Sequence, residues 1–255
     1  EGNLTLEKPI QVLFEGADLN KYFPIADDDL PDDELVLELD EIDNDFNFLF
    51  VGHWLPGGFG EDRKNVALMI RIFLETFKNK KDAPGLILKV NHGPCSIMDR
   101  EEVLRKIDAV REQVKATTLP NIYLLHGELE DEQMNYLYNH PKVKAMISFT
   151  KGEGFGRPLL EFSVVGKPII ASGWSGHLDF LNSEFCGLVG GTLNNVHHSA
   201  VVPNTILADS QWFKPDDNQV GHALMDVFNN YKEYQEKAKR LAHRNKQNFS
   251  DRKST

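Results

Sequence analysis

Two cysteines in 255 residues, Cys95 and Cys186, are too few for a disulfide framework. They also stand in no metal or redox spacing, so two free thiols in a reducing compartment are expected. The chain has no apolar run near the ~18 residues that a membrane helix needs, and no secretory leader. It starts at Glu1 rather than Met, so it is expected to be processed or cut from something longer. A broad basic face is missing too. Asp and Glu number 39 against 28 Lys and Arg, a net charge of -11, and nothing here suits nucleic acid. A stapled secreted scaffold, a membrane-spanning protein and a nucleic-acid binder are therefore not the expectation.

What the chain has is enough apolar sequence for a sizeable core, 41%, over a length that suits one α/β domain with extensions. The acidity is local. ADDDLPDDELVLELDEIDND (26–45) holds 11 acidic residues and no Lys or Arg, while the remainder is balanced at 28 of each sign. This stretch reads as a solvated connector. The expected organisation is a strand and acidic connector over 1–45, then the main domain over 46–255.

IQVLF (10–14) reads as a strand, followed by the turn EGADLNKYFP. FNFLFV (46–51) is an uncharged buried strand, and the glycine-rich loop HWLPGGFGEDR leads from it to a helical pattern over 64–77. LILKV (86–90) is the next strand. The helix over 98–114 follows, with Asp99 as its expected N-cap. NIYLLH (121–126), a helix over 130–140, VKAMISF (143–149), the loop TKGEGFG, a helix over 157–166 ending at Gly166, and KPIIAS (167–172) complete the alternation. Strand and helix alternating with short connections predict a Rossmann-like α/β fold, a parallel sheet with helices on both faces. The pattern is lost from about 190 to 215, and the chain closes on C-terminal helices.

One stretch carries chemistry. EGFGRPLLE (153–161) joins a buried strand to a helix. Pro158 suits the first helical turn, where its missing N–H costs nothing. Free backbone N–H groups and the positive end of the helix dipole then favour an anion, most often a phosphate. Gly154 and Gly156 allow close approach to the backbone. Glu161 lies about one turn into the helix and can reach back toward that mouth, while Glu153 approaches from the loop. Carboxylates beside a phosphate want hydroxyl partners, and the combination describes a sugar nucleotide. In the bland alternative Glu153 is a solvated loop acid and Glu161 pairs with a basic residue a turn away. A dinucleotide site is the other alternative, since GEGFG is a G-x-G-x-G string. It lies late in the domain, lacks the third glycine, and the next strand ends in Ala171-Ser172 with no acid.

EGFGRPLLE resembles the E-x7-E signature of retaining glycosyltransferases of the GT-B fold, specifically glycosyltransferase family 4, the group 1 transferases. The surroundings agree over nearly the whole chain: VLFEGADLNKYFP is similar to the interdomain strand and turn, and FLFVGHWLPGGFGEDRKN to the first strand and donor-phosphate loop of the family's C-terminal domain. NIYLLHGELEDEQMNYLY is similar to the strand, loop and helix around the nucleotide base. ISFTKGEGFGRPLLEFSVVGKPIIASGWSGHLDFL covers the signature together with the next strand and its loop.

The resemblance implies roles. Glu153 would bind donor-sugar hydroxyls and Glu161 the ribose hydroxyls. The amides of Gly154, Phe155 and Gly156 would face sugar and diphosphate, and Lys64 would hold the leaving diphosphate. Without a metal or other cofactor, a cation must stabilise the departing charge. Gly127 and Glu128 would lie near the base. After Gly52 the family usually has arginine where this chain has His53, so Arg63 or a protonated His53 would supply the missing charge. GWSGHLDF replaces the commoner Gly-Gly-x-x-Glu pattern. The GT-B architecture also needs an N-terminal acceptor domain, and the resemblance implies that these residues hold only the donor-binding half.

Other strings carry less. Asp27-Asp28-Asp29 and Asp43-Asn44-Asp45 fit a metal-binding D-x-D, but an acidic stretch generates such strings by composition. His197-His198 has no partner at metal-ligand spacing. His177 follows a strand end and could contact a donor or pack in its loop; Trp174 and Trp212 could line a sugar or pack at the rim.

The sequence therefore implies the nucleotide-sugar-binding half of a hexosyltransferase, metal-independent and without cofactor. The acceptor would be a sugar, lipid or protein, and nucleic acid is no partner. The expected location is cytoplasmic, with attachment to the periphery of a membrane left open. A non-catalytic nucleotide-sugar-binding module and a nucleotide-sugar epimerase on the same fold are the alternatives.

Overall fold

A computed structural model describes residues 8, 9 and 13–251. Its centre is a six-stranded sheet in the order β3-β2-β1-β4-β5-β6, with every neighbouring pair parallel. The strands are β1 (Asn47–His53), β2 (Gly85–Asn91), β3 (Ile122–Leu125), β4 (Val143–Ser148), β5 (Ile169–Ser172) and β6 (Gly187–Val189). The order turns back on itself between β1 and β4. In open α/β sheets the connections leave opposite faces at such a point, and a crevice opens beyond the strands' carboxyl ends.

Side-chain alternation along β1 divides the core. Phe48 and Phe50 face α2 (Val66–Phe77), α3 (Ile97–Gln113) and α6 (Asp217–Asn229), while Leu49 faces the opposite layer. That layer holds α1 (Glu34–Asp40), α4 (Asp131–Asn139), α5 (Arg157–Val165) and α7 (Tyr231–Asn248). The expected parallel sheet with helices on both faces is therefore observed.

Four expectations need correction. The acidic stretch is not all solvated connector. Leu35, Val36 and Leu39 recur at helical spacing and are buried in α1, whose N-cap Asp33 accepts the Leu35 amide at 2.9 Å. Abundant acid masked a short amphipathic helix. Ser96, not Asp99, caps α3, accepting the Asp99 amide at 3.2 Å. The expected strand over 10–14 lies partly outside the described residues. Leu13 and Phe14, which are described, take no regular structure, and the chain joins the fold through a bridge between Ala17 and Ser250. The region 190–215 contains a two-stranded antiparallel hairpin, β7 (Gly191–Asn195) with β8 (Gln211–Pro215). β7 is exposed along its whole length, so no buried alternation marked it in the sequence.

Among the described residues no helix is long and apolar enough to cross a membrane.

Candidate functional site

The loop after β1 and the loop after β4 meet across the turning point of the sheet. Asn65 takes a left-handed conformation (φ 60) at the start of α2, and Asp62 caps that helix by accepting the Val66 amide at 3.4 Å. This tight turn presents Arg63 and Lys64. The Arg63 carbonyl accepts the Lys151 amide at 2.8 Å, and Arg63 Nη1 donates to the Gly152 carbonyl at 2.5 Å. Lys64 Nζ forms a direct ion pair with Glu153 Oε2, and Arg63 Nη1 stands 3.6 Å from the same oxygen. Two cations thus face one carboxylate, and the local charge is left positive.

Glu153 is held by its backbone as well. Its amide donates to Ser175 Oγ at 2.9 Å, and its carbonyl accepts from that hydroxyl at 2.7 Å and from the Gly176 amide at 3.0 Å. Gly154, Phe155 and Gly156 follow. The Phe155 ring packs on Phe180 with centroids 5.1 Å apart, so the backbone rather than the ring is left to face a ligand. Gly156 caps α5 at φ 93, and a β-carbon there would come within 3.2 Å of the His177 side chain. The positive φ favours glycine, and a side chain there would also press on His177. The helix starts at Arg157, with Pro158 in its first turn.

Behind this loop His177 is fully buried. One ring nitrogen, Nε2, lies 2.6 Å from the Ser172 carbonyl, while Nδ1 has no partner among the described residues. Burial lowers its pKa, which keeps the ring neutral and makes it a packing element under the glycine turn.

Glu161 belongs to a different neighbourhood. It is 8% exposed and 3.3 Å from Arg157 Nη2, a pair one turn apart on α5. Burial raises its carboxyl pKa, and Arg157 opposes the rise. The phenols of Tyr22 and Tyr138 sit beside it, both raised by burial and then by the Glu161 charge. Tyr22 in turn donates to Asp131 Oδ1 at 3.0 Å, which ties the N-terminal segment to α4.

Gly52 and His53 end β1, with His53 exposed. Gly127 and Glu128 lie beyond β3, on the sheet's edge strand. The Gly127 carbonyl accepts Lys89 Nζ at 2.5 Å, and burial lowers the Lys89 pKa. The structure thus joins Arg63, Lys64 and Glu153 in direct contact, and places Gly127 and Glu128 two strands from β1.

A second buried cluster at this edge was not legible in the sequence. Asp99 accepts from the amides of His92 (3.2 Å) and Gly93 (2.7 Å) and pairs with His126 Nε2 at 2.7 Å. Burial alone would raise its pKa. The bonds from His126 and the two amides outweigh burial and hold the carboxyl below its usual value. His92 Nδ1 lies 2.6 Å from the Trp54 carbonyl, so the cluster braces the loop that follows β1. Trp174 is 42% exposed and stacks on Phe213 of the hairpin, with centroids 6.0 Å apart and planes 10° from parallel. Among the described residues no three His, Cys, Asp or Glu side chains gather as a metal site would require.

Residues 106–211 match the family model described as glycosyl transferases group 1. No curated protein sequence matches the chain significantly. Among solved structures, sucrose-phosphate synthase from Thermosynechococcus elongatus superposes with a TM-score of 0.63 at 17% identity, over 92% of this chain and 47% of that one. HepE from Anabaena, solved in complex with UDP-glucose, gives 0.64 at 14% identity, over 96% and 54%. The C-terminal domain of a glycosyl transferase group 1 family protein from Francisella tularensis gives 0.57 at 13% identity, over 89% and 97%. The chain spans about half the length of the first two and nearly all of that C-terminal domain. At these identities the likeness establishes the fold, a Rossmann-like parallel sheet flanked by helices that these neighbours share over the matched part.

Proposed function

We propose that this chain is the nucleotide-sugar-binding half of a retaining glycosyltransferase that moves a hexose from a nucleoside diphosphate to an acceptor. The observation that carries this reading is the Lys64–Glu153 ion pair, with Arg63 beside it, spanning the turning point of the sheet next to the start of α5. The pairing is locally over-positive, as a diphosphate cradle should be. Glu153 offers acceptor oxygens for hydroxyls, and the backbone of 154–156 offers close approach. The match over 106–211 includes both glutamates, and one neighbour of the same fold was solved with UDP-glucose.

In the proposed reaction the bond from the anomeric carbon to the diphosphate oxygen breaks, and its electron pair leaves with that oxygen. Lys64 and Arg63 stabilise the charge that develops there. No metal or other cofactor is invoked. Glu153 holds the hexose by its hydroxyls while an acceptor hydroxyl attacks from the face the diphosphate leaves and passes its proton to the departing diphosphate oxygen. Glu161 serves the ribose hydroxyls, with Gly52, His53, Gly127 and Glu128 along the nucleotide. The acceptor, a sugar, lipid or protein, would sit against a second domain. We place the enzyme in the cytoplasm, with or without attachment to a membrane surface.

The test is a thermal-shift panel of the purified chain with UDP, GDP and ADP and their glucose or mannose forms. Ligand at 100 times Kd adds about 2.7 kcal/mol, which for a chain of this size is a rise of roughly 5–10 °C. The expected result is a rise with one base that Glu161→Ala removes. No rise with any of them would overturn the reading of the chain as a donor site.

A further inference from the structure

Ser175 has a backbone that belongs to glycine. Its φ is 88° and its ψ -171°, a region that a β-carbon makes all but inaccessible. Among the described residues three other non-glycine residues have positive φ, namely Asn65, Asn79 and Asn204, at 60°, 59° and 61°. Those values belong to the left-handed helical region, which asparagine tolerates. Ser175 is different in kind.

Its side chain shows what the strained backbone is kept for. One hydroxyl can donate once and accept from another group at the same time. Ser175 Oγ does both to a single residue, accepting the Glu153 amide at 2.9 Å and donating to the Glu153 carbonyl at 2.7 Å. The next residue presses on the same strand of chain. A β-carbon on Gly176 would lie 1.9 Å from the Gly154 carbonyl oxygen, and the Gly176 amide donates to the Glu153 carbonyl. The turn 173–176 is therefore docked on the backbone of 153–154. Glycine at 175 would relax the turn and lose both hydroxyl bonds. Alanine would lose the bonds and keep the strain.

We propose that Ser175 is a positioning residue, clamping the backbone of Glu153 so that its carboxylate stays aimed at Lys64 and at a donor sugar. The last clause rests on the donor-site reading above; the clamp itself does not. Pro, Gly and turn signals in the sequence could not reveal it, because the residue that chemistry selects here is the one that conformation disfavours.

The test compares Ser175→Gly and Ser175→Ala with the parent chain by three readouts: thermal midpoint, amide hydrogen exchange over residues 150–156, and affinity for the nucleotide sugar identified by the panel. In an ordinary loop conformation alanine is more stable than glycine. Here the order should reverse, with Ser175→Gly melting above Ser175→Ala. Both variants should exchange the Glu153 amide faster and bind donor roughly three- to tenfold more weakly, as the loss of one or two hydrogen bonds implies. The glycine variant discriminates, since it should lose donor affinity as alanine does while melting higher, whereas a merely structural serine would lower stability and affinity together. Alanine melting above glycine, or unchanged exchange at Glu153, would overturn the clamp. If the parent binds no nucleotide sugar while the melting order and exchange behave as expected, the clamp stands and the donor reading falls.

Discussion

Two polar clusters stand beyond the carboxyl ends of one sheet's strands, one at the β3 edge and one at the central turning point, and are built on opposite electrostatic terms. Around Asp99 a single buried acid meets two amides and an imidazole, and its oxygens are fully engaged inside the protein. Around Glu153 one carboxylate meets Lys64 and Arg63, so a positive charge is left over at the mouth of a crevice. The first arrangement is closed and serves the scaffold, bracing the loop after β1. The second leaves one cation more than it has carboxylates, the feature on which the donor-site proposal rests.

The largest effect expected from this contrast is on stability, at Asp99. Asp99→Ala leaves two buried amides and an imidazole without their acceptor and should cost about 3 kcal/mol or more, a fall in melting midpoint of roughly 10 °C for a chain of this length. The parent should also be pH-sensitive through this group. Its folded carboxyl lies below the unfolded value, so the stabilisation is present at neutral pH and lost as pH drops through the lowered pKa. Midpoints recorded from neutral to acid pH would show that loss in the parent and its absence in Asp99→Asn.

Lys64→Ala should reverse the pattern. We expect donor affinity to fall tenfold to a hundredfold, in line with a charge-assisted contact of roughly 1.5–3 kcal/mol. Unfolding free energy should fall less than at Asp99, since Arg63 remains beside Glu153 when Lys64 is gone. A large stability loss with unchanged binding would dissolve the distinction between the two clusters.

Glu161→Gln sharpens the comparison further, with a smaller effect. Burial raises this carboxyl above its unfolded value, so the folded state holds its proton more tightly. Parent stability should therefore decline as pH rises from the ordinary value of 4.5 through the raised one, and stay lower above it. The glutamine variant should lack that decline and be at least as stable at pH 7, as a melting series across this range would show. Weakest of all should be Trp174→Ala. Its exposed ring stacks on Phe213 over one face only, and the stability loss should stay near or below about 1 kcal/mol by the same melting assay.

These clusters differ in how far the sequence discloses them. The uncharged run FNFLFV and the alternation after it were sufficient for the parallel sheet. The glycines and proline of EGFGRPLLE announced a strand-to-helix turn, and that turn is observed. The contact of Lys64 with Glu153 joins residues far apart in the chain, and only the family resemblance brought them together beforehand. Asp99 looked like a helix cap because an acid in a first turn usually serves the helix dipole. Its real partners, His92 and His126, come from other loops. The α1 helix was hidden by its own charge, and the β7–β8 hairpin by its exposure. Ser175 left no trace, since backbone conformation cannot be read from a serine.

The C-terminal helix carries a consequence for the order in which the protein is made. Asn245 Nδ2 on α7 donates to Ser163 Oγ on α5 at 2.8 Å, and Leu241 joins Phe162 in one core cluster. Gly166, where α5 ends, lies directly against Ala242 and Lys239. The helix that presents Glu161 is thus seated by a segment synthesised more than seventy residues later. Domains are completed as the chain emerges from the ribosome, N-terminal parts first. The β1 to β5 layer can assemble early, yet α5 stays without its backing until residue 245 has appeared. A ribosome halted before that residue would display a sheet already folded and a signature helix still unseated.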